Sequence, residues 1–141
     1  MGVTNRKPFA GTNAGHMETL NLNAGWVAIL LGFVSGMVIG LFFHNDEWMG
    51  GYGSFRRRMI RLGHIAFFGL GFINLLYALS ARDFGIPVER TTSILFVIGL
   101  IFMPTVCFAS AWRKPFRHLF AIPVVSLLVA VLLFLRVLPW E

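Results

Sequence analysis

The chain has 141 residues, 57% of them hydrophobic and only 13% charged, with a mean hydropathy of +0.74 and a formal net charge of +6. Too little polar surface remains to coat a soluble globule of this size, which excludes an ordinary water-soluble domain and points to an all-α integral membrane protein. A membrane β-barrel is excluded in turn, because its strands would alternate polar and apolar residues over segments of about ten, whereas the oily runs here are apolar all round.

The first 23 residues read as an extramembrane tail. Arg6 and Lys7 are followed by polar sequence, and the first oily run is as long as a complete span, so a retained helix is expected rather than a cleaved leader. "MGVTNR" carries the glycine of a myristoylation signal but puts Arg6 where serine or threonine is required. Residues 24–141 then form the predicted transmembrane domain, with helices at about 24–43, 62–80, 91–112 and 119–139. A helix of roughly 20 residues, at about 1.5 Å per residue, crosses a hydrocarbon core of about 30 Å. Short turns between successive spans predict an up-down-up-down four-helix bundle.

The first predicted helix carries small residues at every fourth position: Ala24, Ala28, Gly32, Gly36 and Gly40. Apolar side chains gain little by exchanging lipid for one another, so membrane helices associate where small residues let backbones approach. The two overlapping units "GFVSG" and "GMVIG" therefore predict close packing against another helix, within this chain or on another copy. In the second helix Gly71 and Asn74 share a face. Asn74 should turn inward to a hydrogen-bond partner worth about 1 kcal/mol, with Ser35, Thr105 and Ser126 as candidates. Pro104 and Pro123 are expected to bend the third and fourth helices.

Charge gives orientation. Seven of the twelve basic residues, Arg56, Arg57, Arg58, Arg61, Arg113, Lys114 and Arg117, flank the first and third turns. The positive-inside rule puts those turns in the cytoplasm and both termini outside it; the expected lack of a targeting segment favours a bacterial inner membrane over another membrane obeying the same rule. Trp48 and Trp112 fall at the inner interface, Trp26 and Trp140 at the outer. Ser54 is placed to cap the second helix. The basic residues would hold anionic lipid headgroups at about 1 kcal/mol each, a simpler partner than nucleic acid for a basic run beside a bilayer.

Chemistry is sparse. No ionisable residue falls in the middle of a predicted span, which argues against a cation-coupled pump. No G-x-S-x-G, H-E-x-x-H, P-loop or C-x-x-C-H pattern occurs, so no catalytic residue and no metal ligand set is assigned, and Cys107 reads as an apolar filler. The histidines remain. His44, His64 and His118 are expected at the inner rim, where two imidazoles could ligate a b-type haem, or a quinone could rest among the 15 phenylalanines. Interfacial histidines also simply bond to water, headgroups and helix ends. The leading expectation is a non-catalytic accessory or packing subunit with a homo- or hetero-oligomeric membrane partner. A haem or quinone redox bundle is the alternative, and a channel for a small neutral solute the third reading.

Overall fold

The computed structural model describes residues 13–139. Arg6, Lys7, the myristoylation pattern and Trp140 lie outside the described residues. Within them the regular structure is helical throughout: α1 (Asn13–Leu41), α2 (Phe55–Asp83), α3 (Arg90–Trp112) and α4 (Ala121–Val137), with 3-10 turns at Trp48–Gly50 and Lys114–Phe120. Four helices are long and apolar enough to cross a membrane, the last counted with its 3-10 lead-in from Lys114.

Two helices start earlier than their oily windows. α1 begins by Asn13 rather than at Ala24, because hydropathy falls across His16, Glu18, Asn21 and Asn23 while the backbone stays helical. Asn21 is fully buried there, so part of the expected tail belongs to the core. α2 begins at Phe55 rather than Leu62. Ser54 caps it, its Oγ accepting from the Arg57 amide at 3.1 Å and donating to Met49 O at 2.7 Å. The arginine run is therefore the first two turns of a helix.

The α2–α3 connection is short for a local reason. Gly85 takes the left-handed conformation (φ 67°), its amide reaches Arg82 O at 3.2 Å, and the Ile86 amide reaches Ala81 O at 2.8 Å. That double closure satisfies the last carbonyls of α2, and Pro87 bars any continuation. Pro123 falls in the first turn of α4, where its missing N–H costs nothing, so the bend expected there is not required. Pro104 is interior to α3, and beside it the Thr105 hydroxyl donates to Ile101 O at 2.6 Å.

Packing divides the molecule into a three-helix core and a flank. α1, α2 and α3 all pack on one another, while α4 approaches α3 and the 3-10 turn before it. The register of the first pair runs Asn21 to Asn74, Gly25 to Gly71, Gly32 to Phe68 and Gly36 to His64, so numbers rise along α1 as they fall along α2. From α2 to α3 it runs from Tyr77 and Phe96 to Gly63 and Cys107. One apolar cluster gathers Tyr77, Ala81, Val88, Phe96 and Ala130; a second gathers Ala28, Leu70 and Leu100. α4 joins them through Leu127 and Phe134, and through Ser126, whose hydroxyl donates to Leu95 O at 2.7 Å.

Candidate functional site

Three groupings of polar side chains stand out among the described residues, and two lie along the seam between α1 and α2. The first is His64. It stands more than two turns inside α2, where Gly36 makes room for its ring; a methyl group at Gly36 would come within 2.6 Å of His64 Cε1. Ser35 Oγ lies 3.1 Å from His64 Nδ1 and 3.0 Å from Gly32 O. With the hydroxyl proton on Gly32 O, Nδ1 carries the ring proton and donates to Oγ, which leaves the Nε2 lone pair free. Phe68 meets the imidazole edge-on at 5.4 Å and Phe33 at 5.1 Å.

The distance from Ser35 to His64 is that of a nucleophile and its base, but the rest of such a unit is missing. The hydroxyl proton is directed to a carbonyl, and among the described residues nothing bonds Nε2 to orient the ring. A fixed Nδ1–H with an open Nε2 is instead how a ligating histidine is held. His44 and His118, expected beside it at one rim, are both exposed, and no described contact joins either of them to His64. Among the described residues no group of three or more His, Cys, Asp or Glu is arranged to hold a metal ion.

The second place is the hairpin between α1 and α2, organised around Arg57. Of the seven basic residues expected at headgroups, Arg57 differs from Arg56, Arg58, Arg113, Lys114 and Arg117, which are exposed, and from the half-buried Arg61. It is only 2% exposed, so it is not presented to headgroups. Its guanidinium lies 5.9, 5.7 and 5.3 Å from the ring centres of Phe43, Trp48 and Tyr52, and its Nη1 donates to Asp46 O at 3.4 Å. Arg61 covers the same Tyr52 ring at 4.3 Å and donates to its carbonyl at 3.3 Å. Planar guanidinium on aromatic faces is worth about 0.5–2 kcal/mol per pair, depending on desolvation. Met49, Gly50 and Gly51 all have positive φ, which lets the chain double back over the arginine.

The third place was hidden from the sequence by the boundary drawn at Ala24. Asn74 pairs with Asn21 and not with Ser35, Thr105 or Ser126, which bond to His64 and Gly32 O, Ile101 O and Leu95 O respectively. The Asn21 Nδ2 donates to Asn74 Oδ1 at 2.8 Å and to Ser93 O at 3.4 Å; the Asn74 Nδ2 donates to Leu70 O at 3.0 Å and to Phe96 O at 3.4 Å. All three core helices thus meet at one pair of amides, and both asparagines are fully buried. The signal that could have found it is the spacing of Asn21 from Gly25, Ala28 and Gly32, which extends the buried face of α1 back beyond Ala24.

The small residues fall into order along the same seam. A methyl at Gly71 would meet Gly25 O at 3.0 Å and Ala28 Cβ at 3.3 Å; one at Gly32 would meet the Phe68 ring at 2.8 Å; one at Gly40 would meet nothing within 4 Å. Cys107 is buried against Gly63 of α2. The chain matches no protein-family model, no curated protein and no solved structure.

Proposed function

We propose that the chain is a four-span membrane protein acting as a non-catalytic accessory or packing subunit of a larger membrane assembly. Its spans alternate in direction, with the arginine-bearing turns in the cytoplasm and both termini outside, in a bacterial-type inner membrane. Arg56, Arg58, Arg61, Arg113, Lys114 and Arg117 hold anionic headgroups at the inner face.

The observation that carries the subunit reading is the one-sided packing of α4. Only 17% of its spanning window is buried within the chain, against 44% for α3. Ile122, Val125, Leu128 and Leu132 are exposed along it and are available to a neighbouring helix. Gly25, Ala28, Gly32 and Gly36 of α1 face α2, so the partner surface is assigned to α4. Purification in mild detergent followed by native mass measurement tests this. A particle heavier than the 15.8 kDa chain, or a copurifying subunit, is expected. A strict monomer without a partner overturns it.

The Ser35–His64 pair supports a second reading, in which His64 would hold a haem b through Nε2 and His118 or His44 would join it only after rearrangement. An absorption spectrum from a haem-sufficient host decides it. A Soret band lost in His64→Ala supports the reading, and no band at full haem supply removes it.

A further inference from the structure

The amide pair at the junction of α1, α2 and α3 is not complete. Asn21 presents both its N–H donors to Asn74 Oδ1 and Ser93 O, so rotating the amide by half a turn would set oxygen against two acceptors; its orientation is fixed. Asn74 is fixed in the same way by Leu70 O and Phe96 O. The remaining oxygen, Asn21 Oδ1, accepts no hydrogen bond among the described residues, and the hydroxyl of Ser93, the residue whose carbonyl Asn21 bonds, has the Tyr77 hydroxyl near it but no bond of good geometry. Both residues are fully buried. An unmet acceptor at such a place carries a desolvation penalty that favours any donor able to reach it.

Polar groups lead from Ser93 towards a crevice that neither Ser93 nor Asn21 lines. Ser93 and Thr92 lie around the Tyr77 hydroxyl together with the backbone of Glu89. Tyr77, Thr92 and Glu89 in turn line a crevice with Phe134 that has room for about one water molecule and lies beside the α2–α3 turn. On the other side, Gly25 and Gly71 face each other with no room for a side chain, and Ala28, Leu70 and Leu100 form an apolar cluster beyond them.

We propose that the Asn21–Ser93 junction is a binding site for water, filled from the α2–α3 turn past Glu89, Thr92 and Tyr77. The first water donates to Asn21 Oδ1 and exchanges a hydrogen bond with Ser93 Oγ. The Tyr77 and Thr92 hydroxyls supply further partners, in the range of two to four that a buried water requires. The outer half of the three-helix core is therefore hydrated from one side and dry beyond Leu70. This is a blind polar inlet, so it admits water to the amide pair without conducting a solute across the chain. It stands independently of whether α4 meets a partner subunit.

Water-edited solid-state NMR on the isotopically labelled full chain in liposomes tests the site. Magnetisation from water should reach the side-chain amides of Asn21 and Asn74 several-fold faster than the amides of Gly32 and Leu100. Build-up as slow as at Gly32 and Leu100 overturns the proposal, and would mean that Ser93 rotates to donate directly to Asn21. Ser93→Ala should slow transfer to Asn21 several-fold while leaving the helical spectrum unchanged. Unaltered transfer in that variant removes Ser93 from the site and overturns the assignment as stated.

Discussion

The seam between α1 and α2 is built differently at its two ends. Near Asn21 and Gly25 the helices approach so closely that a side-chain carbon added at Gly71 would lie 3.0 Å from Gly25 O, and an amide pair ties both to α3. Near Gly36 and Gly40 the same four-residue period of small side chains leaves a gap that His64 partly fills and that stands open at Gly40. A repeat of glycines therefore marks where backbones are permitted to approach. Whether they do is decided by the facing residue, which is glycine at position 71, phenylalanine at 68 and histidine at 64.

Substitutions graded along the seam should follow that contrast. Gly71→Leu should be the most damaging, because its Cβ would meet the backbone oxygen of Gly25 at 3.0 Å and backbone does not move aside cheaply. A loss of about 3 kcal/mol or more is expected in thermal unfolding in detergent; a stable variant would mean that the helices are not in contact there. Asn74→Leu should cost about 1–3 kcal/mol by stranding the Asn21 amide and freeing Phe96 O. A change below about 0.5 kcal/mol would show that the pair is not the tie between the three helices.

Gly36→Ala should be milder, about 1 kcal/mol, since the obstructing group is the edge of an imidazole that can tilt. Its signature is the loss of the Ser35–His64 bond, read as a changed tautomer balance in the ¹⁵N spectrum of His64. An unchanged spectrum would contradict the close fit of ring to glycine. Gly40→Ala should have the smallest effect and the opposite sign, a gain of up to about 1 kcal/mol, because open space receives the methyl and alanine is the better helix former. Loss of stability there would show that the seam closes along its whole length.

Hydropathy made the four helices readable, α3 almost to the residue, because span length and oiliness are set by the same solvent. It misjudged both helices that continue past the oil. Asn21 looks like tail to a hydropathy window, yet its amide is paid for by Asn74, and only a three-dimensional partner reveals that. The same holds for Arg57. A basic residue beside a membrane reads as a headgroup contact, and nothing in "FRRRMIR" says which arginine turns under Phe43, Trp48 and Tyr52. The Ser54 cap was legible because capping is local chemistry. Among the histidines, the bond of His64 to Ser35 depends on how α1 and α2 face each other, which composition does not carry.

The attachment of α4 mainly to α3, with only side-chain contacts such as Phe134 on Tyr77 reaching α2, has a consequence for handling the protein. The other three helices hold one another by amides and near-touching backbones, whereas the fourth relies on Ser126, Leu127 and Phe134 and on whatever surrounds it. Stripping away native lipid should thus loosen this segment first, and amide hydrogen exchange across residues 121–137 would register that fraying before the amides of α2 responded.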